Sequence, residues 1–188
     1  MQVAAVVLAA GASKRLGEPK QLAMLGGETL LTRAVRVARE GGCLPVVVVV
    51  GAEYVQVLGH GGLGDAVTVI NDKWDEGMAS SIRVGVRALG SVAKDAEGVV
   101  LMTCDQPAVT VKHLSRLMLR TEVTASHYAG RKGVPAFFPK EYFERLMELT
   151  GDAGARELLL DAQCEALENG ELDVDRPEDL LRARELFG

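Results

Sequence analysis

Short, unbroken apolar runs rich in valine alternate along this sequence with stretches whose apolar residues recur every three or four positions. A run without polar alternation needs cover on both faces, because a sheet wetted on one face carries polar side chains at every second position. The runs at 3–8, 44–50, 67–70 and 98–102 therefore read as central strands, and segments 28–40, 78–89, 111–120, 140–149 and 153–160 as the helices that cover them. Helical spacing is plainest at Leu30, Leu31, Ala34, Val35 and Ala38, closed by Gly41-Gly42, and Pro177 opens a last helix as a first-turn proline. Two weaker runs, 123–128 and 134–138, flank Ala129-Gly130-Arg131-Lys132-Gly133, which predicts a hairpin or a change of strand direction. Right-handed βα units then build a three-layer α/β/α sandwich, with a Rossmann-like, mostly parallel sheet and an antiparallel element, as a single domain over residues 1–188. In that architecture the site lies in loops at the carboxyl ends of the strands.

The charge balance removes several functions. With 21 basic against 26 acidic residues the net charge is −5, and without a long basic run there is no electrostatic footprint for nucleic acid or an anionic membrane. Cys43, Cys104 and Cys164 are odd in number with no CxxC pair, and His60, His113 and His127 are scattered, so neither a disulfide framework nor a zinc cluster is expected. A reducing, cytoplasmic setting is expected. The opening MQVAAVVLAA could pass for a secretory apolar core, but Lys14 and Arg15 follow it instead of preceding it, which favours a buried first strand. The other long uncharged stretch, 41–52, is too short to span a bilayer.

Residues 6–22, VVLAAGASKRLGEPKQL, join the first strand to a loop holding Gly11, Ser13, Arg15, Gly17 and Lys20. Small residues let backbone N–H groups reach an anion, Arg15 offers a planar fork of donors and Lys20 a mobile point charge, a set able to hold a triphosphate without a nucleophile. The alternative is a glycine-rich surface turn with solvated charges. Neither familiar nucleotide fingerprint fits: Ser13 stands where GxGxxG needs its second glycine, and Gly17 is followed by Glu18 where a P-loop needs lysine. Farther on, Asp105 follows an apolar run and so falls at a carboxyl strand end, where a hard carboxylate suits Mg²⁺; a turn-capping aspartate before Gln106-Pro107 is the competing reading.

LAAGASKRLGEPKQL resembles the opening signature of nucleotidyltransferases with a nucleotide-diphospho-sugar-transferase-like fold, and more closely that of the molybdenum cofactor cytidylyltransferases. The resemblance continues in family order through Asn71-Asp72-Lys73-Trp74-Asp75-Glu76-Gly77-Met78-Ala79-Ser80-Ser81, Cys104-Asp105-Gln106-Pro107, Gly133-Val134-Pro135, Gly151-Asp152-Ala153-Gly154-Ala155-Arg156 and Asp173-Val174-Asp175-Arg176-Pro177-Glu178-Asp179. It implies Mg²⁺-dependent transfer of a nucleotidyl group, CMP from CTP, onto molybdopterin with release of pyrophosphate.

The resemblance also implies roles. Gly11, Ser13, Arg15 and Lys20 would cradle the nucleotide phosphates, with Arg15, Lys20 and Asp105 catalytic. Asp105 and Asp175 would hold the metal. Ala9, Ala10, Ser80 and Ser81 would meet the nucleotide, and Gly133, Pro135, Asp152 and Arg156 the acceptor, with Lys132 adding charge. The paired alanines stand where guanylyltransferase relatives carry LAGG, which favours CTP over GTP and leaves ATP open. Arg176 departs from the threonine usual in its segment, which puts local hydrogen bonding in question and leaves open whether Asp175 is a ligand or a helix cap. Ser80 and Ser81 likewise read as ordinary first-turn residues, and Cys104 as a buried small hydrophobe. The implied partners are NTP, molybdopterin and a molybdoenzyme maturation chaperone. Competing readings are transfer to a sugar or polyol phosphate, a noncatalytic carrier of the cofactor, and an oxidoreductase.

Overall fold

Every residue of the first strand, β1 (Val3–Ala9), is buried, as a run needing cover on both faces requires. The structure, a computed structural model, describes residues 2–188. After β1 come a short hairpin of β2 (Met24–Leu25) and β3 (Glu28–Thr29), then α1 (Leu30–Glu40), β4 (Val46–Val50), α2 (Tyr54–His60) and β5 (Val67–Ile70). The chain continues through α3 (Met78–Val92), β6 (Gly98–Thr103), α4 (Val111–Leu117), β7 (Thr124–Tyr128), β8 (Arg131–Pro139), α5 (Phe143–Met147), β9 (Gln163–Ala166) and α6 (Pro177–Phe187).

Seven strands form one sheet in the order β5-β4-β1-β6-β8-β7-β9. Pairings β4/β5, β1/β4, β1/β6 and β7/β9 are parallel, while β8 runs antiparallel to both neighbours. The sequence expectation of a mostly parallel α/β sandwich with an antiparallel element therefore holds. The reversal follows from the two-residue turn at Ala129 and Gly130, both at positive φ, which returns the chain beside β7.

Alternate residues of β1 and β4 serve opposite layers. Val3, Ala5, Val7, Val46 and Val48 pack with Leu31, Val35 and Ala38 of α1 and Leu114 and Leu117 of α4. Ala4, Val6, Val47 and Val49 pack with Ile82, Val86 and Leu89 of α3 and Leu146 of α5. Gly85 lets α3 lie close to the sheet, since a Cβ there would strike Val6. A third cluster, of Leu16, Leu25, Leu30, Leu172, Val174 and Leu180, ties the loop after β1 to α6.

Two helical expectations are corrected. Segment 153–160 holds only a 3-10 turn, Arg156–Leu159, because Gly154 sits at φ +60°, outside helical geometry, and is pressed against Met78. Segment 140–149 begins as a 3-10 turn, Lys140–Tyr142, before the single short helix α5. No described helix is long and apolar enough to cross a membrane.

Candidate functional site

The chain leaves β1 at a place where the sheet changes its direction of build: β4 pairs on one side of β1 and β6 on the other. A crevice opens at such a switch point beyond the carboxyl ends of the strands. The loop that follows, 10–19, is held by a residue the sequence did not single out. Gln21 is buried, and its amide nitrogen donates to the carbonyls of Ala9 at 2.8 Å and Gly11 at 3.1 Å. The Ser13 hydroxyl accepts from the Lys20 amide at 2.8 Å and lies 3.4 Å from the Gln21 amide oxygen. Leu16, in the third apolar cluster, anchors the middle of the loop, so Arg15 is left exposed on a fixed base.

Lys20 then turns into the crevice. Its Nζ donates to Asp105 Oδ2 at 2.6 Å and Asp175 Oδ1 at 2.9 Å, and the other Asp175 oxygen accepts from Arg15 at 2.9 Å. Residues 160 positions apart are thus joined across the ends of β1 and β6. Backbone contacts bring the tail in: the Val174 amide donates to the Asp105 carbonyl at 2.9 Å. Asp179 accepts from the amides of Asp175 and Arg176, so the absence of threonine at 176 leaves that turn hydrogen-bonded. Asp175 is not the cap of α6, whose N-cap is Arg176, and its carboxylate faces the two cations.

The charges in this cluster shape one another. Burial opposes the Lys20 ammonium, but Asp105 and Asp175 outweigh it and hold its proton above the ordinary lysine range. Burial likewise opposes ionisation of Asp175, yet the hydrogen bond and charge of Lys20, with Arg15, bring its carboxyl below the usual value. Asp173, two residues earlier, is pushed up to about 7 by burial and then by the charges of Asp105 and Asp175.

The remaining expected residues fall into two places. At the start of α3, Ser80 Oγ lies 2.8 Å from the carbonyls of both Lys73 and Gly77, and Asn71 donates to the hydroxyls of Ser80 and Ser81. The loop expected to hold the acceptor docks on the same helix end: Asp152 accepts from the Met78 amide, and the Gly151 carbonyl from that of Ala79. Arg156 is exposed at the start of its 3-10 turn. On the far side of the crevice, β8 bulges. Ala125 pairs with Ala136 and Ser126 with Gly133, so Val134 and Pro135 loop out of the ladder where β6 ends. Lys132 does not face this crevice freely, for its Nζ donates to the carbonyls of Leu160 and Ala162.

A glycine-bearing loop with two cations after β1, facing two carboxylates at a switch point, has the chemistry to hold a polyphosphate together with a divalent cation. Residues 5–167 match the description MobA-like NTP transferase domain. The chain belongs to the MobA-like NTP transferase family. It is 32% identical to the purine catabolism protein PucB of Bacillus subtilis, over 93% of this chain and 92% of that one. It is also 32% identical to the nicotine blue oxidoreductase of Paenarthrobacter nicotinovorans, over 96% of this chain and 95% of that one. The crystal structure of Rv0371c from Mycobacterium tuberculosis H37Rv matches it with a TM-score of 0.84 at 34% identity, covering 98% of this chain and 99% of that one. Rv0371c has also been solved in complex with manganese, with a TM-score of 0.81 at 32% identity and the same coverage.

As a MobA-like NTP transferase the chain is a nucleotidyltransferase. Its residues fit a divalent cation on the chemistry of the donors. Asp105 and Asp175 supply hard oxygens that already share one positive charge, the Lys20 ammonium. Among the described residues no group of three or more His, Cys, Asp or Glu closes around an ion. Two carboxylates suit a cation such as Mg²⁺, which takes one or two of them and completes its shell with water and substrate phosphates.

Proposed function

We propose that this MobA-like nucleotidyltransferase transfers CMP from CTP to the terminal phosphate of molybdopterin or its molybdenum-loaded form. An acceptor phosphate oxygen forms a bond to the α-phosphorus, the bond from that phosphorus to the oxygen bridging to the β-phosphate breaks, and pyrophosphate leaves with the electron pair. No enzyme nucleophile is required, because the acceptor is already anionic.

The observation that carries the reading is the Lys20 ammonium set between Asp105 and Asp175 at the ends of β1 and β6. Lys20 and the exposed Arg15 are placed to receive the β- and γ-phosphates on a loop that Gln21 keeps rigid, offsetting charge that grows on the leaving group. Asp105 and Asp175 would hold Mg²⁺, which when bound neutralises phosphate charge. Preference for CTP rests on Ala9-Ala10, which stand where guanylyltransferase relatives carry LAGG; the buried Ala10 methyl faces Gly51, where an added Cβ would lie 2.8 Å from it. The acceptor would lie along the Gly133-Val134-Pro135 bulge, with Asp152 and Arg156 at the other wall. The free thiols, Cys43 and Cys104 buried and Cys164 exposed, fit a reducing cytoplasm.

The test is pyrophosphate release from CTP, GTP and ATP with Mg²⁺ and molybdopterin, for the native chain and Asp105→Ala. Molybdopterin-dependent release, fastest with CTP and abolished in the variant while its fold is retained, is expected. Release that needs a sugar or polyol phosphate instead would move the acceptor, and retention of molybdopterin without release from any triphosphate would make the chain a carrier.

A further inference from the structure

Gln106, next to Asp105, is buried and has its amide fully engaged. Its Nε2 donates to the Gly170 carbonyl at 3.2 Å and the Tyr128 hydroxyl at 3.3 Å, and its Oε1 accepts from Thr103 at 3.3 Å. Tyr128 passes the connection on, donating to the Val134 carbonyl at 3.1 Å. The amide's orientation follows from Gly170, whose carbonyl can only accept, and the Tyr128 hydroxyl spends its one proton on Val134. A continuous chain of hydrogen bonds therefore runs from the end of β6 to the looped-out residues of β8.

The tyrosine ring is fixed along its length. A Cβ on Gly170 would come within 2.6 Å of Tyr128 Cδ1, and one on Gly133 would strike the hydroxyl, so two glycines make room for this side chain. The Arg131 guanidinium lies 5.5 Å from the ring centroid. Gly170 also opens the segment that delivers Val174 to the Asp105 carbonyl and Asp175 to Lys20. Ser126 holds the next carbonyl of the bulge, donating to Pro135 at 2.6 Å, with the buried His113 Nε2 2.7 Å from the same hydroxyl.

We infer that Gln106 and Tyr128 are positioning residues that set the β8 bulge relative to Asp105 and Asp175, so that occupancy of the carboxylate site and the geometry of the acceptor wall are coupled. The inference rests on the reading above only in taking that bulge as the acceptor wall. Tyr128→Phe is the discriminating change, because the ring remains between its two glycines while one hydroxyl is lost. The Val134 carbonyl and one Gln106 N–H are then left without partners. A buried hydrogen bond of this kind corresponds to an acceptor KM about tenfold higher, and the KM for CTP stays at its native value.

Hydrogen exchange gives a readout independent of the acceptor. Addition of Mg²⁺ with CTP to the native chain slows exchange in segment 131–136, and the slowing is lost in Tyr128→Phe, although CTP still protects the loop 10–19. Slowing that persists in the variant, or losses in KM that are equal for CTP and acceptor, would overturn the coupling. Should the native chain show the coupling yet release no pyrophosphate with any acceptor, the transfer reading falls and the positioning role stands.

Discussion

Replacing Lys20 by methionine keeps the apolar stem and deletes the ammonium between Asp105 and Asp175. Its nitrogen is 2.6 Å from Asp105, whose side chain is only 12% exposed, and 2.9 Å from Asp175, at 35%. Removing one member of a buried ion pair costs about 3 to 5 kcal/mol, because the other charge stays desolvated. The lower end applies here, since Asp105 keeps some access to water. The pair with Asp175 is screened by water and adds about 0.5 kcal/mol. With a urea slope of about 2.5 kcal/mol per molar for a chain of this size, a loss of about 3.5 kcal/mol lowers the unfolding midpoint by about 1.4 M in metal-free buffer at neutral pH. Circular dichroism of the native chain, Lys20→Met, Asp105→Asn and the double variant measures it. The double variant removes both charges and recovers most of the loss, and Mg²⁺ raises the midpoint of Lys20→Met by more than that of the native chain. An unchanged midpoint in Lys20→Met, or a double-variant loss equal to the sum of the single losses, would refute the reasoning.

Gln21→Ala leaves the carbonyls of Ala9 and Gly11 without their donor at a buried position, which costs about 2 kcal/mol and raises the KM for nucleoside triphosphate. Steady-state kinetics with an unaltered KM would remove Gln21 from the loop's support. Asp173 in the folded chain keeps a proton, up to about pH 7, that the unfolded chain releases near pH 4, so metal-free stability falls as pH rises through that window. Asp173→Asn abolishes this decline: with chelator present its melting temperature lies above the native one at about pH 8, and the two converge below about pH 4. Parallel melting curves across the range would contradict that assignment.

The central strands were legible because burial on both faces leaves a signature no half-wetted strand shares, and the reversal of β8 was legible at Ala129-Gly130. What the sequence concealed has physical reasons. Strand β9 reads Gln-Cys-Glu-Ala at an exposed edge and exists through backbone pairing with β7, which leaves no apolar pattern. Helix α2 buries only Val57 and lies in a glycine-rich surface stretch. The β2–β3 hairpin is two residues on each side, turned by Gly26 and Gly27 at positive φ. Helical spacing was over-read at 153–160, where Gly154 breaks the turn. Within the site, Arg15, Lys20, Asp105 and Asp175 announced themselves by charge and by place in known motifs, and the structure brings them within hydrogen-bond distance. Gln21, Asn71, Gln106 and Tyr128 are uncharged, and their importance lies in which carbonyl or hydroxyl each one faces, something settled only when distant strands are side by side.

Because β8 runs against its neighbours, the chain meets the crevice at the beginning of that strand, before Phe137 and Phe138 divide between the two apolar layers. One residue added or lost in the paired stretch 136–139 would swap those two rings across the sheet, driving each into the layer built for the other. Homologues are therefore confined to exchanging side chains at constant length from Ala136 onward, whereas the looped-out residues 134–135, the exposed turn at 129–130 and the loop 10–19 are free of that restriction. Length variation among relatives, mapped onto β8, should accordingly fall before Ala136.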